Sequence, residues 1–345
     1  MSLHSEILEQ PQCLANLLKN HRQDVQLIAD VIKKRDPNYV MLAARGTSDN
    51  AGRYANYLLG NKNRLPLALA APSLYTYYHT PPVLHNALVI GISQSGQSPD
   101  IVSVLEEGQR QGCLTVAITN ITDSPIAEAA DHVIDISTGP EFATAATKTY
   151  SASLMALAML STALSNDNQA WSELERVADW VDEVCRLDDS IAQVAQRYRY
   201  MHQCVVLGRG YNYSTAFEWA LKLKELTYTE AEPYSSADFM HGPIAMVQGG
   251  FPVMAVVPQG KVYQSMFDTL KQVKNDLDGE LVVISNVPEV LSMAKVPMRI
   301  PADVPEWLTP LVCVIPGQLF AYHLTEVKGL DTEKPRFIHK VTETK

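Results

Sequence analysis

Short apolar runs alternate with helix-period segments along the chain. Tyr39–Ala44 (YVMLAA), Ala87–Ile92 (ALVIGI) and Leu114–Ile118 (LTVAI) each end in polar turn residues. Apolar runs of that length read as strands buried on both faces of a sheet. Asp49–Leu59 and Pro99–Gln111 follow the first two runs with helical spacing. The pattern predicts βαβ units, a parallel sheet with helices on both faces. The second half repeats it, with strands at Cys204–Leu207, Pro252–Val257 and Leu281–Ile284. Its helices run from about Thr215 to Thr227 and from Tyr263 to Asn275.

The two halves align at a nearly fixed offset. Arg45-Gly46 after the first strand matches Arg209-Gly210, 164 residues later, and Val89–Ile92 matches Val253–Val256 at the same spacing. After a two-residue insertion, Ala117–Asn120 matches Val283–Asn286. An internal duplication is the economical reading. The expected organisation is an N-terminal helical segment (1–36), a first α/β domain (37–168), a linker helix (169–199), a second α/β domain (200–330) and a polar C-terminal tail (331–345). Each domain is expected to be a doubly wound, flavodoxin-like parallel sheet.

Composition narrows the classes. The 345 residues carry 46% hydrophobic and 19% charged side chains, enough apolar content for a core in each half and against disorder. Lys and Arg number 28 against 38 Asp and Glu, a net charge of −10 with no basic block, which argues against nucleic-acid or anionic-membrane partners. Cys13, Cys113, Cys185, Cys204 and Cys313 are scattered without a CxxC pair, so neither a disulfide framework nor a zinc site is expected. MSLHSEILEQP shows no signal-peptide core, and no apolar run is expected to reach the eighteen or so residues a membrane span needs. The expectation is a soluble, cytoplasmic, globular chain without metal or cofactor.

One copy carries a feature the other lacks. The second strand of the first half runs into Ser93-Gln94-Ser95-Gly96-Gln97-Ser98, and Pro99 then opens a helix. The second half has Val257-Pro258-Gln259-Gly260 there. A Ser/Gln/Gly turn at the carboxyl end of a parallel strand suits phosphate, because backbone N–H groups, hydroxyls and a helix dipole point at the oxyanion. Gly46-Thr47-Ser48 and Thr144–Thr147 are further hydroxyl turns in the same half. The plainer reading is that Ser93 and Ser98 only cap the next helix.

Three further residue sets could carry chemistry. Glu218, Lys222 and Glu225 fall at i, i+4 and i+7 on one helix face, whose plain reading is a solvated Glu–Lys pair. His241 sits in a loop before Gly242-Pro243, and Lys340 in the tail; by default both are inert surface residues.

Together these motifs resemble the sugar isomerase (SIS) domain pair of glutamine–fructose-6-phosphate aminotransferases. The resemblance rests on EQP (Glu9–Pro11), GTS (Gly46–Ser48), SQSG (Ser93–Gly96), ATK (Ala146–Lys148) and LGRG (Leu207–Gly210). It continues through ALKLKE (Ala220–Glu225), HGP (His241–Pro243), Lys328-Gly329 with Asp331, and Pro335-Arg336 followed by Lys340. The resemblance implies that Thr47, Ser48, Ser93, Gln94, Ser95 and Ser98 hold the phosphate and neighbouring hydroxyls of a hexose 6-phosphate. Thr144 and Ala145 would give main-chain contacts to the sugar. Glu225 would move the proton between C1 and C2, with Lys222 beside it. His241, supplied by a neighbouring subunit of a homodimer with a shared site, would assist ring opening. Lys340 would form a Schiff base from a tail that folds over the substrate. Gln97 stands where the family has an acid, Ala146 where it has Ser, and Ser98 where Thr is usual; these positions bear on substrate identity more than on reaction class.

The family's glutaminase region is not seen before EQP, so the expected chemistry runs toward ammonia release. The expected enzyme is a glucosamine-6-phosphate deaminase, turning D-glucosamine 6-phosphate and water into D-fructose 6-phosphate and ammonia. Another phosphosugar isomerase or a fructosamine-6-phosphate-type deglycase is the alternative, and a non-catalytic sugar-phosphate-binding regulator is a second.

Overall fold

In a computed structural model that describes residues 2–340, ten strands form two separate five-stranded sheets. The first sheet holds β1 (Tyr39–Ala43), β2 (Leu67–Leu69), β3 (Ala87–Ser93), β4 (Leu114–Thr119) and β5 (His132–Asp135). The second holds β6 (Gln203–Gly208), β7 (Glu230–Ser235), β8 (Pro252–Val256), β9 (Glu280–Ser285) and β10 (Val296–Arg299). The orders are β2-β1-β3-β4-β5 and β10-β9-β8-β6-β7, and every pairing is parallel. Reversed, the second order is the first one again, so the duplication read from the strand offsets extends to topology. It is the doubly wound flavodoxin-like order, in which the chain reverses direction between the first and third strands.

The central strands were legible because they are buried throughout: all seven residues of β3 and all six of β4 are buried. The edge strands β2, β5, β7 and β10 were not foreseen. They are short or half-exposed, and β7 (EAEPYS) even contains Pro233, which an edge strand tolerates.

The chain divides into two compact units, one around each sheet. The unit of the first sheet comprises Gln12–Glu141, Lys148–Arg176 and, of the described tail, His339 and Lys340. That of the second comprises residues 2–11, Phe142–Thr147 and Val177–Ile338. In the first, Val89 and Ala117 of the sheet pack with Ile101, Val104 and Leu105 of the helix Pro99–Arg110. In the second, Val253, Ala255 and Val283 pack with Phe267, Leu270 and Val273 of the helix Tyr263–Asn275. The span read as one linker helix is three, Asn168–Glu175, Val177–Cys185 and Asp188–Ala195.

The helix Thr309–Val327 corrects a second expectation. It is apolar and long enough to cross a membrane by composition. Yet most of it is buried inside the second unit, as the core helix of a folded unit must be. At Gly317 an added Cβ would come to 3.0 Å from Cγ of Trp219, so glycine lets this helix lie directly on the helix Tyr213–Thr227.

Candidate active site

In the first unit, the two hydroxyl segments lie at the carboxyl ends of β1 and β3, neighbours in the sheet and the point where strand order reverses. Open α/β sheets bind ligands at that crevice. Gly46-Thr47-Ser48 is not a turn, as first read, but the first turn of the helix Gly46–Lys62. Gly46 therefore stands where a helix start turns its positive dipole end toward an anion, while the Ser48 N–H donates to the Arg45 carbonyl at 3.0 Å.

After β3, Ser93 Oγ accepts the Gly96 N–H at 3.1 Å and Ser95 Oγ accepts the Gln97 N–H at 3.3 Å. Gly96 has φ +66°, and a Cβ there would lie 2.0 Å from Ser124 Oγ, so only glycine lets the turn close this tightly. Ser98 stands at the N-cap of the helix Pro99–Arg110, but its hydroxyl makes no capping bond. The cap reading therefore fails for both Ser93 and Ser98. Gln94 and Ser95 are half-buried, and Thr47 and Ser48 likewise.

Arg45 was missed. It precedes the first helix, is half-exposed, and its Nε donates to the wholly buried Asp100 carboxylate at 2.7 Å. One guanidinium thus ties the segment after β1 to the helix after β3 and leaves positive charge beside both. The repeated Arg-Gly pair at 45 and 209 was the available signal. Asp49, one residue beyond Ser48, has its carboxyl pushed up by burial, against the pull of Arg53 and Arg45.

The equivalent place in the second unit is filled from within. The Glu306 carboxylate accepts the Lys261 N–H at 2.8 Å, and a Cβ on Gly260 would collide with it at 2.3 Å. A protein carboxylate sits against the turn that matches SQSG, consistent with the loss of its hydroxyls.

The second unit carries the ionisable helix. Lys222 and Glu218 are buried, at 1% and 0% exposure, while Glu225 keeps 24%. Lys222 Nζ lies 2.5 Å from Glu225 Oε2 and 3.4 Å from Glu218 Oε1. The solvated-pair reading fails, because the ammonium is buried between two carboxylates and only Glu225 faces outward. Lys328, of the KG-D motif, donates to the carbonyls of Met201 and Thr227 and to Thr229 Oγ1, closing the C-terminal end of this helix. Burial pushes the Lys328 pKa down.

The same unit holds Thr144 and Ala145. Glu6 is wholly buried and accepts the N–H groups of Phe142 and Ala143. Gln10 of the EQP motif donates to Gln318 Oε1 at 2.8 Å, and Gln318 reaches the Thr147 carbonyl at 3.4 Å. Thr144 Oγ1 donates to the Glu333 carbonyl, and the Glu333 carboxylate accepts the Leu3 N–H. EQP is thus a positioning motif for the segment that bears Thr144 and Ala145.

The tail is less free than expected up to Ile338. Asp331 accepts the N–H groups of Glu333 and Lys334, bonds that hold its carboxyl below the usual range. Arg336 stacks on Tyr228 at 3.9 Å and donates its N–H to the Tyr228 hydroxyl. Lys340 belongs to the first unit, where its Nζ lies 2.6 Å from Oε2 of Glu141, a carboxylate with no exposure. Glu141 also accepts the Thr149 N–H and hydroxyl. Lys340 is no frayed surface lysine. Glu141, separated from it by 199 residues, was not foreseen.

His241 stands apart. It is exposed, follows the helix Ser236–Met240, and no hydrogen bond or ion pair among the described residues joins its side chain to Glu218, Lys222 or Glu225.

Comparison with known proteins agrees with this architecture. The SIS domain model matches residues 35–163 and 198–327, one match per sheet. The chain belongs to the SIS domain family. Among curated relatives, the isomerizing glutamine–fructose-6-phosphate aminotransferase of Pyrococcus horikoshii is 30% identical over 340 residues, covering 97% of this chain and 56% of that protein. The chain therefore spans little more than half the length of such relatives. The C-terminal domain of glucosamine-fructose-6-phosphate aminotransferase from Francisella tularensis superposes with a TM-score of 0.88 at 28% identity, over 96% of this chain and 98% of that one. A Silicibacter pomeroyi structure, provisionally named a phosphosugar isomerase, does so with 0.87 at 32% identity, over 96% and 100%. The first SIS repeat here carries the hydroxyl cradle, and the second carries the Glu218–Lys222–Glu225 helix.

Proposed function

We propose that this chain is a phosphosugar enzyme that moves a proton between C1 and C2 of an open-chain hexose 6-phosphate, and that its net reaction is deamination of D-glucosamine 6-phosphate. The observation that carries the reading is the buried Lys222 ammonium between Glu218 and Glu225. It leaves one carboxylate, Glu225, facing outward with its charge neighbour fixed. A base must have that access to take a carbon-bound proton.

Thr47, Ser48, Ser93, Ser95, Ser98 and the helix start at Gly46 hold the phosphate, beside the positive charge of Arg45. Gln94, Thr144 and Ala145 contact the sugar. His241 assists ring opening. Its exposed side chain suits service to a neighbouring subunit in a homodimer. Glu225 takes the C2 proton to give the enolamine and returns a proton to C1, leaving an imine at C2. Lys340 then adds to C2 as a neutral amine, passing a proton to Glu141, and ammonia leaves. Water hydrolyses the Lys340 imine to release D-fructose 6-phosphate.

Ammonia release should be assayed with glucosamine, galactosamine and fructosamine-type 6-phosphates. Release with the first, paired with equal fructose 6-phosphate, supports the deaminase. Turnover of a fructosamine-type phosphate alone would make the enzyme a deglycase, and aldose–ketose interconversion without ammonia would make it a simple isomerase.

A further inference from the structure

Away from the residues assigned to the sugar phosphate, the second unit gathers two imidazoles around one carboxylate. His4 Nε2 lies 2.8 Å from Asp188 Oδ2, and His323 Nε2 lies 2.6 Å from Asp188 Oδ1. His4 is separated from Asp188 by 184 residues and His323 by 135, so no spacing motif could announce the cluster. One potential ligand atom from each of the three falls within 4.8 Å of the others.

The geometry points to a binding site for a divalent first-row transition ion, of the zinc class, held by His4, Asp188 and His323. Three features carry this. The donors are two imidazole nitrogens and a carboxylate oxygen, a set that suits zinc and its neighbours rather than calcium or magnesium. Bonds of about 2.0–2.1 Å from a tetrahedral ion place ligand atoms about 3.3 Å apart, so ligand atoms that now lie within 4.8 Å of one another need close by no more than about 1.5 Å. The three side chains keep 30%, 22% and 14% exposure, which leaves a path for the ion from solvent.

The surroundings already hold the rings in place. Tyr322 stacks on His4 with centroids 4.7 Å apart and planes 11° from parallel, and His323 meets both rings edge-on. His4 lies in the helix Leu3–Leu8, Asp188 opens the helix Asp188–Ala195, and His323 lies in the helix Thr309–Val327. A bound ion would staple these three elements. Two residues past His4, Glu6 holds the amides of Phe142 and Ala143, so the staple would stiffen the segment bearing Thr144 and Ala145. The role is structural and does not depend on which sugar is turned over.

The test uses the untagged full-length chain after dialysis against a chelator. Zinc titration by calorimetry should show one saturable equivalent, cobalt should develop the visible bands of a tetrahedral ion, and the melting temperature should rise with free zinc. His4→Phe keeps a ring over Tyr322 but removes a ligand, and Asp188→Asn keeps the shape but removes the charge. Each should abolish the saturable equivalent and the zinc-dependent rise in melting temperature. Absence of a saturable equivalent in the wild-type chain would overturn the site, as would undiminished binding in either variant; the wild-type titration decides even where a variant fails to fold.

Discussion

The Ser93 and Ser95 oxygens accept the amides of Gly96 and Gln97, which shapes the turn and leaves each O–H to donate to an oxyanion that enters it. Replacing both by Ala should raise KM for the phosphorylated sugar tenfold or more, because each lost hydrogen bond to a charged group costs about 1.5–3 kcal/mol. An unchanged KM in steady-state kinetics would remove the phosphate assignment. Lys222 gives a stability prediction of a different kind. Lys222→Met takes the ammonium from the buried Glu218 and should cost ~3–5 kcal/mol in urea unfolding, as removal of one partner of a buried ion pair does. A loss below about 0.5 kcal/mol would mean the pair behaves as a solvated one. At this scale the chain was readable where chemistry is local: SQSG and the i, i+4, i+7 face both lay in single segments. Arg45–Asp100 and Lys340–Glu141 were hidden, since each pairs residues that only the folded sheet brings together.

Elements were legible in proportion to their burial. β3, β4, β8 and β9 read as unbroken apolar runs, whereas the edge strands, half-covered, offer no such run. The helix Gly46–Lys62 begins three residues earlier than its apolar spacing suggested, because Gly46–Ser48 contribute backbone rather than apolar side chains. The tail is the element whose role is most directly testable. Truncation after Arg336 removes Lys340 but keeps the Asp331 turn and the Arg336–Tyr228 stack. Circular dichroism should stay close to wild type, with melting lowered because the buried Glu141 loses its Lys340 partner, while ammonia release falls by about 10²-fold or more, the scale of a lost catalytic group. Wild-type turnover by the truncated chain would leave Lys340 as a structural partner of Glu141 only.

For the whole molecule, duplication followed by divergence explains why two equal sheets carry unequal chemistry. One copy keeps an open hydroxyl turn; in the other, Glu306 lies against the matching turn. The exposed His241 extends the argument beyond one chain. If it serves a neighbouring subunit, His241→Ala and Glu225→Gln, each inactive alone, should partly rescue each other on co-expression. A mixed dimer would then hold one site with both native residues, allowing up to about half of wild-type activity per heterodimer. No rescue in a proven heterodimer would put His241 in the site of its own subunit.

The most direct measurement follows the C1 position itself. Glucosamine 6-phosphate is turned over in deuterium oxide, and the fructose 6-phosphate formed is examined by NMR and mass spectrometry beside the ammonia released. Solvent deuterium should enter C1 with one ammonia per ketose, and Glu225→Gln should slow both by about 10²-fold or more while the sugar phosphate still binds. Deuterium incorporation at the wild-type rate in Glu225→Gln would contradict the account, because the carboxylate beside Lys222 would then not be the base.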